Sequence, residues 1–167
     1  MPRVHYRKAG KDYPSIGIAK GEMYYTWRIK TTYGGTTHRS QTAPRPSQLT
    51  HSEYKSQAYA LIEQMEDALK GDVEPEDIQS AAQEAVSEAE NLRDEEQSKL
   101  DNMPEGLQQG DTGQLIQERI DALEQFISEV EGFECEDFDP EDGEHETKEE
   151  YIDAKCDELS GIDLDVY

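Results

Sequence analysis

The chain has 167 residues, of which 39 are acidic and 16 basic, with a formal net charge of −23 at pH 7 and only 34% apolar residues. Such a composition supports a thin core, enough for one domain or a small domain with an extension. The longest apolar run, residues 58–62, is far too short for a bilayer span, so no membrane partner is expected. The charge is divided along the chain. Residues 1–55 hold ten Lys/Arg against three acids (Asp12, Glu22, Glu53), a net of +7, whereas residues 56–167 hold six against thirty-six, a net of −30. Net charge governs association rather than fold, so the division points to charged partners.

Taken in order, residues 1–20 read as irregular, with Arg3, Arg7 and Lys8 followed by no apolar leader segment. Met23–Tyr33 is rich in aromatic and β-branched residues and reads as a strand. Gly34-Gly35 suits a two-residue turn, which makes residues 22–42 a β-hairpin inside a basic segment 1–46. That turn sets a register in which Tyr33 faces Thr36, Ile29 faces Ser40 and Trp27 faces Thr42. One face then carries Tyr25, Trp27 and Ile29. The other carries Tyr24, Arg28, Lys30 and Arg39, with Lys30 directly opposite Arg39, a repulsive pair.

Ala43-Pro44-Arg45-Pro46 breaks the strand. Residues 47–133 read as three acidic amphipathic helices, over 51–70, 75–103 and 113–131. The first opens on a capping box, Thr50 to Glu53, and closes at Gly71. The second starts at Pro75 and carries a seam of Ile78, Ala82, Ala85, Ala89 and Leu92 that turns polar at Glu96 and Lys99. The third has a capping pattern at Asp111 and Gln114, and a seam of Ile116, Ile120, Leu123, Ile127 and Val130 supported by Leu115 and Phe126. Residues 134–167 read as an acidic, flexible loop and a short helix capped by Thr147. The expected fold is mainly α: a basic hairpin followed by an elongated acidic helical bundle or a coiled-coil-like helix pair.

Chemistry-bearing motifs are sparse. The loop at Asp137–Gly143 resembles a calcium loop in composition, but aligning Gly143 with its sixth position puts Phe138 first and Pro140 third. His5, His38, His51 and His145 are dispersed, and Cys135 and Cys156 lack zinc-site spacing, so no metal or cofactor is expected and the cysteines read as free thiols of a reducing cytoplasm. No nucleophile elbow, phosphate-binding glycine loop or metalloprotease motif occurs, which argues against an enzyme.

The stretch Lys11-Asp-Tyr-Pro14, Gly17-Ile-Ala-Lys-Gly-Glu-Met-Tyr-Tyr-Thr-Trp27 and Pro44-Arg-Pro-Ser-Gln-Leu-Thr50 resembles the N-terminal pattern of uncharacterised acidic proteins of bacteriophages and related elements. It covers the first third of the chain, implies a viral protein acting on a host or virion component, and assigns no site residue. Phage inhibitors that mimic DNA are similar in charge and size alone, an analogy. The leading expectation is a decoy in the host cytoplasm. Its helical carboxylates, Glu84, Glu88, Glu95, Asp121, Glu124 and Glu129, would occupy the nucleic-acid-binding cleft of a basic protein. The alternatives are a nucleic-acid-binding module using Tyr24, Arg28, Lys30 and Arg39, and a homo-oligomeric scaffold of a virion assembled through the Ile116–Val130 seam. The competing explanations are a solvated acidic surface for solubility, and a basic hairpin packed on acidic helices.

Overall fold

A computed structural model describes residues 1–32, 34–139 and 147–166, and the chain forms two compact units, Met1–Gln57 and Ala58–Tyr167. The first contains a three-stranded antiparallel sheet, β1 (His5–Lys8), β2 (Met23–Thr31) and β3 (Gly34–Ser40), in the order β1-β2-β3. The strand β1 corrects the expectation of an irregular start. It pairs Tyr6 with Tyr25, whose rings lie 4.6 Å apart, and Arg7 with Tyr24. The connection over residues 9–22 is held by backbone. Gly17, at φ 67°, closes a 3-10 turn at Pro14–Ile16, and Asp12 and Glu22 accept the N–H groups of Lys20 and Ala19 at 2.7 and 2.8 Å. This places Ala9 and Ile18 over Tyr24, with Tyr13 partly buried beside them.

The hairpin forms, but with another register. Thr31 pairs with Gly34, Ile29 with Thr36 and Trp27 with His38, so both glycines lie within β3 rather than in a turn. Tyr33 itself lies outside the described residues. Two features support this slip. A Cβ on Gly35 would sit 2.6 Å from the Ile29 carbonyl, an approach only glycine permits, and Trp27 gains a stacked His38 at 5.5 Å. Because the slip is an even number of residues, each side chain keeps its expected face while its neighbours change. Lys30 now faces Gly35 and Arg39 faces Thr26, so the expected Lys30–Arg39 repulsion is absent.

After the proline-rich connector, a 3-10 turn at Pro46–Leu49 brings the Gln48 carbonyl to Trp27, whose Nε1 donates at 3.1 Å. Helix α1 (Glu53–Ala68) starts two residues later than expected. Ser52 rather than Thr50 caps it, accepting the Lys55 N–H at 3.4 Å, while Thr50 Oγ1 accepts from Ser52 N–H at 3.1 Å.

The second unit holds α2 (Pro75–Asp101), a one-turn α3 (Glu105–Gln108), α4 (Asp111–Glu131) and α5 (Lys148–Ser160). Both seams are buried, from Ile78 to Leu92 on α2 and from Ile116 to Val130 on α4, whereas Leu115 is exposed. Glu96 near the end of α2 meets Arg119 near the start of α4, and Gln79 near the start of α2 binds Cys135 just after α4, so the two helices run antiparallel. The turn α3 was not expected. Gln108 explains it, since its Nε2 donates to Leu100 O at 3.0 Å and Met103 O at 2.9 Å and satisfies carbonyls left over at the α2 end. Gly110, not Asp111, precedes the first turn of α4. A Cβ on Gly113 would lie 2.0 Å from the Gln108 carbonyl, so α3 and α4 close on a bare backbone. Gly113→Ala should therefore cost about 1–3 kcal/mol in chemical denaturation, as overpacking against backbone does.

Thr147 caps α5 by accepting the Glu150 N–H at 3.2 Å, and Lys148 pairs with Glu74 at the start of α2. Tyr151 donates to the Glu136 carbonyl at 2.8 Å and lies 3.9 Å from Cys135 Sγ. Residues 140–146, on which the calcium-loop comparison rests, lie outside the described residues. Burial, followed by the hydrogen bond with Cys135, pushes the Tyr151 phenol up to about 12. Folding thus favours the protonated phenol. That contribution is fully present below about pH 10 and is lost as pH rises through 12. A difference ultraviolet titration of the protein against Tyr151→Phe should show this phenolate forming near pH 12 rather than 10.

Candidate functional site

The site built by the helices is a surface rather than a cavity. All six expected carboxylates, Glu84, Glu88, Glu95, Asp121, Glu124 and Glu129, are exposed. At 100° per residue, Glu84, Glu88 and Glu95 fall within about 40° of one another and roughly 90° from the centre of the α2 seam. They form a stripe on the side of α2 nearer α1, where Glu84 and Glu88 border a shallow cleft with Leu61, Gln64, Met65 and Ala68. The α4 trio is spread over about 140° of that helix and does not merge with the stripe. Asp121 accepts from Gln117 Nε2 and Glu129 from Gln125 Nε2, both at 2.8 Å and both four residues apart. An amide donor orients a carboxylate without cancelling its charge.

The six cations of this unit are all committed. Lys70 binds Asp67, Arg93 binds Asp94, Lys155 binds Glu158, Lys148 binds Glu74, and Lys99 and Arg119 both bind Glu96. The hydrogen bonds it donates to Asp94 push the Arg93 guanidinium further up. Six cations against thirty-six acids leave the unit at −30 whatever the pairing. On α2 and α4 together, fifteen acids face three bases. Over the length of α2 this is about one net negative charge per 3 Å, compared with one per ~1.7 Å in duplex DNA.

Glu96 is the exception among the described acids. It is fully buried, with Lys99 Nζ at 2.6 Å from one oxygen and Arg119 Nη1 at 3.0 Å from the other. Its place in the seam was visible in the sequence; Arg119 as its partner across the helix pair was not. Glu96→Ala should destabilise the protein by about 3–5 kcal/mol, because two cations lose their buried counter-charge. The double variant Glu96→Leu with Arg119→Met should recover much of that loss in urea unfolding.

In the first unit Arg28, Lys30 and Arg39 are exposed, as expected of a binding face, but Tyr24 is not. It is 5% exposed, beneath Ala9 and Ile18, so its expected use as a stacking platform is corrected. Two residues not singled out by sequence reasoning join the face. Arg7 stands opposite Tyr24, and the ring of Tyr13 is approached by Arg39 Cζ at 4.9 Å and Lys11 Nζ at 5.6 Å.

A groove beside the start of α2, lined by Pro75, Glu76, Gln79, Ser80, Gln83, Cys135 and Asp137, offers two carboxylates, amides, a hydroxyl and a thiol that burial pushes up. Cys135 and Cys156 are both free. Among the described residues no three His, Cys, Asp or Glu side chains gather as a metal-ligand set, and no helix is long and apolar enough to cross a membrane. No protein-family model, curated protein or solved structure matches this chain.

Proposed function

We propose that the protein acts by binding rather than catalysis. The outward carboxylates of its helices occupy a basic, nucleic-acid-binding surface on another protein, as an inhibitor or decoy. The observation that carries this reading is the exposure of Glu84, Glu88 and Glu95 on one side of α2, in a unit where thirty-six acids outnumber six cations. The helices are taken to form an elongated pair with charge on its outer sides. The N-terminal resemblance to acidic phage proteins adds a setting, the cytoplasm of a host cell, in which a nucleic-acid enzyme is a natural target.

A net charge density about half that of duplex DNA implies partial imitation, with the geometry of the stripe contributing as much as its charge. Assembly of a scaffold through the Ile116–Val130 seam is the weaker reading, because that seam is already filled within the chain.

The test is capture from a bacterial lysate on immobilised protein, with elution by rising salt. The expected product is a basic nucleic-acid-binding protein that duplex DNA displaces. Its retention should fall at least tenfold with Glu84→Gln, Glu88→Gln and Glu95→Gln combined. Retention unchanged by those three substitutions would refute the proposal.

A further inference from the structure

The first unit carries the opposite charge, and its sheet separates chemistry by face. Because directly opposed residues share a face, Arg7, Arg28, Lys30 and Arg39 all emerge on the side that also holds Tyr24 and Thr26. The other side holds Tyr25, Trp27 and Ile29 with His38. Two of the three acids of this unit, Asp12 and Glu22, accept backbone N–H groups within the 9–22 connection.

Strand β1 pairs with β2 only as far as Thr26. Beyond it, residues 27–31 and 34–38 form a two-stranded ribbon whose cationic side presents Arg28 and Lys30, both exposed, around the bare backbone of Gly35.

We infer that this ribbon is a docking surface for duplex DNA, with Arg28, Lys30 and Arg39 contacting phosphates and Arg7 and Lys11 flanking them. The B-form major groove, about 12 Å wide, admits a two-stranded ribbon, whose strands lie about 4.8 Å apart. Arg28 and Lys30 are separated by about 7 Å along β2, a spacing that reaches successive phosphates of one strand. A duplex is favoured over a single strand for a specific reason. Single-strand binders stack bases on exposed rings, but on this face Tyr24 is buried and Tyr13 is already approached by Arg39 and Lys11. The inference does not rest on the helical reading, which concerns other residues and a protein partner.

The experiment uses the full chain with a labelled 30-base-pair DNA duplex, the corresponding single strand and a duplex RNA, by fluorescence anisotropy from 50 to 200 mM NaCl. Duplex DNA should bind most tightly, with affinity falling roughly a hundredfold over that range, as about four phosphate contacts require. Arg28→Gln with Lys30→Gln should flatten the logarithmic salt slope by about two, with Trp27 fluorescence unchanged. Adding Arg39→Gln should flatten it by about one more. The inference is overturned by absence of duplex binding at 50 mM NaCl, by single-strand or RNA binding as tight as duplex DNA, or by a slope that ignores these substitutions. Helical Glu→Gln variants that leave the slope unchanged support the assignment to the ribbon.

Discussion

Six cations must serve thirty-six carboxylates in the helical unit, and the fold directs two of them, Lys99 and Arg119, to Glu96, the single buried glutamate among the described residues. Glu96 would be prohibitively costly in the interior without them, since an unpaired buried carboxylate loses its hydration with nothing in return. The pair across α2 and α4 also carries positional information. Small residues line much of the α2 seam, and Ala-rich surfaces slide past one another more readily than interlocked large ones. A charged contact that forms at one alignment only sets the register, much as a single polar residue does in a coiled-coil seam. The remaining four cations stay on local or terminal contacts with Asp67, Asp94, Glu74 and Glu158, and the acids of the unit still outnumber its cations six to one.

The two units then have opposite chemical characters. The sheet gathers arginines and lysines on one face while Asp12 and Glu22 bind backbone, and the helices gather carboxylates while their few bases bind neighbours. In each unit most of the minority charge has internal partners, and the majority charge is in excess. A protein built this way has two surfaces suited to opposite partners. If both readings hold, a duplex held by the ribbon and a basic protein held by the helices would meet on one chain.

Much of this was legible in the sequence where one physical signal dominated. The α4 seam, with large apolar residues at 4-3-4-3 spacing, and the start of α2 at Pro75 lie where periodicity and capping place them. Failures came where tertiary contact decides. Gly34-Gly35 suggests a turn because glycine permits positive φ. Here Gly35 is needed instead for its missing Cβ against Ile29, a long-range fact no local rule supplies. Strand β1 was invisible because four residues of mixed polarity become a strand only beside β2. Tyr24 was placed on the correct face, but its cover comes from the 9–22 connection, so alternation alone could not reveal its burial. The helical carboxylates were legible because a large excess of one charge cannot be hidden by any fold of this chain.

Thermal unfolding of the full chain against NaCl concentration, followed by helical circular dichroism, addresses the central claim without any partner. Outward carboxylates repel one another at low ionic strength, and added salt screens that repulsion within a Debye length of about 10 Å at 0.1 M. The midpoint should therefore climb steadily between 10 and 500 mM NaCl. A midpoint that stays level or drops would mean that attractive internal pairs dominate the electrostatics, and an exposed anionic surface could no longer be maintained as the basis of function.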